Sequence, residues 1–203
     1  VSSSTGCRSP GSPAGPGVSW RAVNDAVLET GTSTRSSPAW PCHGAQASSK
    51  DTSTGSRWPL TGDTYTAVAG GGARLNDRPL KVSAKTDLGA ALIGTGQAKP
   101  GEDERTFRRI GGSVTAMLIN GLVVRVSVPA TMQLIHVAAG RMDAFWQFSD
   151  VRSGLVAGAL LVSEAGGTVT DLTGDPWNTG SRDFLAAAPG LHSAALKVLS
   201  PIA

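Results

Sequence analysis

The run AFWQFSDVRSGLVAGALLVSEAGGTVTDL, residues 144–172, decides the fold class. Ala144 to Phe148 is short, apolar and aromatic, the composition of a strand. Leu155 to Ala165 is apolar nearly all round, through Val156-Ala157-Gly158-Ala159-Leu160-Leu161-Val162, and a helix of that kind has to be buried. Gly166-Gly167 closes it, because glycine takes the left-handed conformation in which helices commonly end. Thr168 to Leu172 then reads as the next strand. A buried helix between two strands is the repeating unit of a sheet covered by helices.

Working outward, the same alternation continues. Pro129 opens a helix over Ala130 to Met142, with Leu134, Ile135, Val137 and Ala138 as its apolar stripe. Leu122 to Val128 ahead of it is β-branched and apolar, which predicts a buried strand. The polar run Lys99 to Arg105 places Glu102-Asp103-Glu104 at a helix start, and the helical pattern runs from Glu104 to Leu118. Short strands are expected at Tyr65 to Ala69, stopped by Gly70-Gly71-Gly72, at Arg78 to Ser83, and at Leu88 to Ile93, ended by Gly94-Thr95-Gly96. On the downstream side Phe184 to Ala188 reads as a strand and Leu191 to Leu199 as an amphipathic helix. The predicted class is α/β, or layered α+β.

The first 58 residues have another texture. Over residues 1–60 about half the positions are Ser, Thr, Gly or Pro, and the only Val, Leu, Ile, Met or Phe are Val1, Val18, Val23, Val27, Leu28 and Leu60. Six such side chains cannot offset an ordering cost of about 1–2 kcal/mol per residue. Residues 1–58 are therefore expected to be a low-complexity, loop-rich or disordered segment, with one helix-like piece from Arg21 to Thr30, and residues 59–203 to form the folded domain. Trp20, Trp40 and Trp58 are unusual in such a segment.

Charge and composition exclude several classes. A net charge of +3, with no Lys/Arg-rich run, argues against nucleic acid as a partner. No apolar stretch reaches the ~18 residues of a membrane span, and no secretory leader is visible at the N-terminus. Cys7 and Cys42 are too few for a disulfide framework, so a cytoplasmic location is expected.

Residue chemistry alone is sparse. His43, His136 and His192 read as surface or satisfied core histidines, and Cys42-His43 lacks the spacing and partners of a zinc site. The two glycine-rich stretches lack a P-loop's Lys-Ser/Thr and the dinucleotide fingerprint, so tight turns are the expected explanation. No acidic pair stands at Asp-x-x-Asp spacing, and Glu102-Asp103-Glu104 reads as a solvated loop and helix cap.

Several segments taken together resemble the inositol monophosphatase family of metal-dependent phosphomonoesterases. They are Tyr65 to Ala73 with Leu75-Asn76-Asp77-Arg78-Pro79-Leu80, Val137-Ala138-Ala139-Gly140-Arg141-Met142-Asp143-Ala144-Phe145-Trp146, Ala157 to Val162, and Glu164-Ala165-Gly166-Gly167-Thr168-Val169-Thr170-Asp171. The resemblance covers about residues 59–203. It implies an α-β-α-β-α sandwich, of which this chain holds the C-terminal portion, together with Mg²⁺ dependence, an inositol, cyclitol or sugar phosphate as substrate, and a homodimer. The implied reaction is attack of a metal-activated water on phosphorus. The implied class is phosphoric monoester hydrolase, with a non-catalytic scaffold or regulatory, dimerising member of the family as the alternative.

Departures from the family pattern are specific. The family's first metal motif, an acidic pair followed by Asp-Pro-[Ile/Leu]-Asp-Gly-[Thr/Ser], has no counterpart in residues 1–58, which are either the native sequence of a diverged member or the product of a truncation or a changed reading frame. Gly154 stands where the family places a metal-binding Asp; Asp150, one helical turn earlier, is either a substitute ligand for the same ion or a helix-start Asp without catalytic duty. On the substrate side, Gln147 replaces an acidic residue, and Val128-Pro129-Ala130 replaces Gly-Ser/Thr-Ala with only Ala130 retained. The resemblance thus assigns Ala130 and Gln147 to substrate binding, no metal ligand at the family positions, and no identifiable residue to the chemical step.

Overall fold

The computed structural model of the chain describes residues 53–57, 62–148 and 152–202. The helix-like piece at 21–30, the three early tryptophans, both cysteines, His43 and Asp150 lie outside the described residues.

Two sheets organise the molecule. The first is antiparallel in the order β1 (Ser53–Arg57), β2 (Thr64–Val68), β3 (Gly72–Leu75), β4 (Arg78–Pro79). Its first strand lies within the stretch that composition assigns to loop. Ser53–Arg57 carries no apolar side chain, and its ladder to β2, from Ser53 opposite Val68 to Arg57 opposite Thr64, supplies the order instead. Gly70 and Gly72 adopt φ of +71° and +82°, and Gly71 N–H donates to Val68 O at 2.7 Å, so the glycine run is a hairpin turn joining β2 to β3.

The second sheet runs β6-β5-β7-β9-β8, with β5 (Leu92–Thr95), β6 (Val123–Val126), β7 (Ala144–Gln147), β8 (Thr168–Thr170) and β9 (Phe184–Ala187). Strand β5 is parallel to both β6 and β7, while β9 is antiparallel to β7 and β8. The central strands β7 and β9 are buried at every position, with alternate side chains entering different cores. Phe145, Phe184 and Ala186 join one cluster; Ala144, Trp146, Leu185 and Ala187 join the other.

Among the described residues, four α-helices cover the sheets: α1 (Glu104–Asn120), α2 (Ala130–Ala138), α3 (Arg152–Glu164) and α4 (Pro189–Leu199). Helices α2 and α3 pack on each other between the sheets, so Leu134, Leu161 and Val162 share a core with Tyr65 and Ala67 of the first sheet. Helices α1 and α4 cover the opposite face of the second sheet through Met117, Leu191, Ala195 and Leu199. The layers are sheet, helices, sheet, helices: four of the five that the family resemblance implies.

Two of the quoted motifs are helix ends. After α2, Gly140 (φ +67°) donates to Val137 O at 3.0 Å and Arg141 N–H to His136 O at 2.9 Å. After α3, Gly166 (φ +86°) donates to Ser163 O at 3.0 Å and Gly167 N–H to Val162 O at 2.8 Å. Both are Schellman caps, which satisfy the last carbonyls of each helix and require a glycine past the cap. The cap stops α2 at Ala138, four residues short of the expected Met142, whose side chain is buried in the link to β7.

Other expectations are corrected. Leu122 to Val128 is the exposed edge of the second sheet, since nothing among the described residues pairs with the outer side of β6. Of Arg78 to Ser83, only Arg78–Pro79 is strand. Leu88 to Ile93 begins as a 3-10 turn, Leu88–Ala90, because Asp87 Oδ1 accepts from Gly89 N–H at 2.9 Å, and the strand starts at Leu92. Gly94 and Thr95 are the last residues of β5 and Gly96 follows it, so the stretch is not a turn.

Candidate functional site

Strands β5, β6 and β7 run parallel, so their carboxyl ends lie together. Helix α2 starts just after β6, and α3 starts just after β7. That edge is where open α/β sheets place ligands, and it brings together Ala130 in the first turn of α2, Gln147 at the end of β7 and Gly154 in the first turn of α3. Thr131 Oγ1 donates to Gly154 O at 2.8 Å, which ties the two helix starts to each other.

Gln147 is only 3% exposed, and its Oε1 has no hydrogen-bond partner. The amide lies against Gly96: a Cβ there would overlap Gln147 Oε1 and stand 2.9 Å from Cδ. Glycine at position 96 is thus a close-approach residue. The same holds for Gly94, where a Cβ would overlap Gln133 Oε1 and Met142 Cε. A buried acceptor left without a donor costs about 1–3 kcal/mol.

Gln133 is the member of this group that residue chemistry missed. Its Nε2 donates to Thr95 O at 3.2 Å, Ser127 O at 2.8 Å and Ser127 Oγ at 2.7 Å, joining α2 to the ends of β5 and β6. Its Oε1 is also buried without a partner. The signal in the sequence is a glutamine interrupting the stripe that runs from Ala130 to Ala138. Next to it, Thr95 Oγ1 donates to Trp146 O at 2.8 Å, and Trp146 Nε1 donates to Ser113 Oγ at 2.9 Å, so β7 is held to β5 and to α1. Helix α2 itself opens at Pro129 with no side-chain cap, leaving its first N–H groups facing this edge.

The carboxylates in the quoted motifs serve the scaffold. Glu164 accepts from Gly70 N–H through Oε1 and from Gly72 N–H through Oε2, both at 2.8 Å, and fixes the β2–β3 turn on the end of α3. Asp143 is almost wholly buried at the amino end of β7, opposite the site. Its Oδ2 accepts from Lys85 Nζ at 2.9 Å and Leu92 N–H at 2.7 Å, and its carbonyl accepts from Ala188 N–H at 2.9 Å, clamping β5, β7 and β9. Burial pushes this carboxyl upward, but the hydrogen bonds from Lys85, Ser83 and Leu92 outweigh it and hold the group below its usual value.

The two described histidines stand apart from the site residues. Thr170 Oγ1 donates to Asp171 O at 2.7 Å and lies 2.8 Å from His192 Nε2, so the imidazole is the donor in that contact. Burial lowers the proton affinity of both His192 and His136, and for His136 the charges of Arg141 and Arg125 add to it.

Mg²⁺ asks for hard oxygen ligands, and the described residues do not offer a set that fits it. Among them, no three His, Cys, Asp or Glu side chains gather in one place. Gly154 supplies only backbone, and its carbonyl is already taken by Thr131.

Layered sheets and helices, with two helix starts at the ends of parallel strands, define the class of fold; comparison with known proteins supplies the family. Residues 57–202 match the sequence pattern described as the inositol monophosphatase family. The "Putative Nus factor SuhB" of Neisseria meningitidis serogroup B is 37% identical over 142 residues, covering 70% of this chain and 54% of that protein. The "Inositol-1-monophosphatase" of Rhizobium meliloti is 40% identical over 121 residues, covering 57% of this chain and 43% of that protein. Among solved structures, the inositol monophosphatase from Anabaena (Nostoc) superposes with a TM-score of 0.64 at 29% identity, over 74% of this chain and 59% of that one. The chain belongs to the inositol monophosphatase family. It spans about half the length of the curated relatives it matches. No helix among the described residues is long and apolar enough to cross a membrane.

Proposed function

We propose that this protein is a Mg²⁺-dependent phosphomonoesterase acting on an inositol, cyclitol or sugar phosphate in the cytoplasm, as a homodimer. The observation that carries this reading is the family match across residues 57–202, which includes the ligand edge formed by Ala130, Gln147 and the start of α3. Ala130 is a small residue at the uncapped opening of α2, which lets a substrate approach the backbone there. Gln147 accepts a hydrogen bond from a substrate hydroxyl through its orphaned Oε1. An amide in place of a carboxylate binds a hydroxyl less strongly, so discrimination among polyols is weak. The carboxylates that hold the ion come from outside the described residues, and Asp150 is the first of them to test.

A second reading has its own observation. With Gly154 in place of an acidic ligand and no acidic cluster among the described residues, the chain serves as a non-catalytic scaffold or regulatory member of the family. Relatives named as Nus factors are in keeping with such a role. Phosphate release from a panel of inositol and sugar phosphates, with Mg²⁺ titrated and a chelator control, separates the two. Chelator-sensitive release supports the enzyme. No release from folded protein supports the scaffold. Light scattering on the eluting protein measures the dimer.

A further inference from the structure

The ladder that carries Gln147 ends at Gln147 itself. Strand β7 pairs with β5 only as far as Trp146 opposite Thr95, and with β9 only as far as Gln147 opposite Phe184. One step past that last pair, the antiparallel register sets Phe148 opposite Asp183. The ends of a ladder open more readily than its middle. Gln147 therefore depends on whatever holds the two strands together just beyond it.

Arg109, in the second turn of α1, stands at that place. Its guanidinium lies 4.4 Å from the centre of the Phe148 ring, and its Nη2 is 3.6 Å from Asp183 Oδ2. Its Nε donates to Ile202 O at 3.1 Å. Asp183 is fixed from its other side as well, where Oδ1 accepts from Leu172 N–H at 2.7 Å. The side chains of Arg109 and Asp183 are only 21% and 11% exposed, so this pair is shielded from the screening that weakens surface ion pairs. Arg108, one residue earlier, makes the contrast, since it pairs with Glu104 on the open surface. A flat, delocalised cation serves both contacts at once, one through its face and one through its edge. Phe148 and Asp183 occupy facing positions of two strands, so a single side chain holds both strands in register. It does so from the α1 face of the sheet. Gln147, one residue earlier on β7, points to the α2 face, where it meets Gly96.

We propose that Arg109 is a positioning residue for the phosphatase reaction: it clasps Phe148 and Asp183 across the end of the β7–β9 ladder and so holds Gln147 where a substrate hydroxyl is recognised. That role rests on the phosphatase reading and on the place of Gln147 in it. Arg109 acts through Gln147 from the opposite face of the sheet, so its effect falls on substrate binding rather than on the chemical step.

The test is phosphate release from inositol phosphate by the full chain at saturating Mg²⁺, with Arg109→Gln, Gln147→Ala and the two together. Arg109→Gln raises KM about fivefold with kcat changed less than about twofold, and Gln147→Ala raises KM at least as much. In the Gln147→Ala background Arg109→Gln adds nothing further to KM, because its route is already cut. Arg109→Lys keeps the charge but loses the flat face against Phe148, so its KM falls between those of the parent and Arg109→Gln. Without substrate, hydrogen exchange in peptides covering residues 144–148 and 183–187 is faster in Arg109→Gln than in the parent. Should Arg109→Gln not fold by circular dichroism, Phe148→Leu takes its place in the cycle. Unchanged exchange, or an unchanged KM in folded Arg109→Gln, overturns the proposal. So does an equal rise in KM in both backgrounds, which is what general loosening of the domain gives. A parent protein that releases no phosphate removes the phosphatase reading and the positioning role with it. Release by the parent, with an Arg109 effect independent of Gln147, removes the positioning role alone.

Discussion

Gly158 of α3 faces Leu134 of α2, and replacing it with alanine tests how closely those helices must approach. A Cβ at position 158 would overlap Leu134 Cδ1 and lie 2.5 Å from Leu134 Cβ and 3.0 Å from Cγ. Non-bonded carbons settle at about 3.5–4.0 Å, so the Cβ–Cβ approach has to lengthen by about 1 Å. Rotating Leu134 relieves Cδ1 but not Cβ, and the side chain is fully buried, so α3 must back away from α2. Overpacking of this kind costs about 1–3 kcal/mol, and a clash that includes Cβ belongs in the upper half of that range. Alanine returns about 1 kcal/mol through helix propensity. The net expectation for Gly158→Ala is a loss of about 1–2 kcal/mol, a fall in Tm of about 2–8 °C for a domain of this size. Urea and thermal unfolding followed by circular dichroism measure it, with Leu134→Ala and the double replacement completing a cycle. In the Leu134→Ala background the penalty shrinks by about 1 kcal/mol, since Cγ and Cδ1 are gone. A Gly158→Ala protein more stable than the parent, with the same increment in both backgrounds, would refute the packing argument.

Other outcomes follow from the same geometry. Glu164→Ala removes both acceptors of the β2–β3 turn and should destabilise by about 1–3 kcal/mol, with faster amide exchange at Gly70 and Gly72 and an intermediate effect for Glu164→Gln; unchanged exchange would contradict the anchoring role. Gly96→Ala displaces the Gln147 amide and should raise KM for a polyol phosphate about tenfold with smaller change in kcat, and an unaltered KM would remove Gln147 from the site. His136 and His192 are held below the ordinary imidazole value, so the unfolded chain binds more protons below about pH 6.5 and stability falls as the pH drops through the folded values. The pair His136→Gln, His192→Gln should flatten urea midpoints between about pH 7.5 and 5.5; an undiminished slope would assign the acid sensitivity elsewhere. Asp143, held low, keeps its contribution above about pH 3.9 and loses it only as the pH falls through its own lower value.

Helices and central strands were readable because local pattern and burial agree. The all-round apolar run of α3 and the buried strand Ala144–Gln147 follow directly from composition, and Gly166 marks a helix end that the backbone confirms, whereas Gly140 ends α2 inside a run expected to be helical. β6 was not readable, because a short β-branched run looks the same at a sheet's centre and at its edge, and only the missing neighbour distinguishes them. β1 was hidden for the opposite reason: Ser-Thr-Gly-Ser-Arg has no strand signal, and its order comes from pairing with β2. Ala130, Gln147 and Gly154 enter the candidate site through the family pattern alone, since their residue types announce no chemistry. Gln133 and the close-approach glycines Gly94 and Gly96 show their roles only when α2 and the end of β7 are laid against β5 and the residue after it.

The most direct test of the central claim is phosphate release by the full chain from inositol and sugar phosphates as Mg²⁺ is titrated, beside the same protein with Asp150→Asn. The account predicts release that a chelator abolishes and that falls with Asp150→Asn. Well-folded protein that releases no phosphate at any Mg²⁺ concentration would contradict it and leave the scaffold reading in its place.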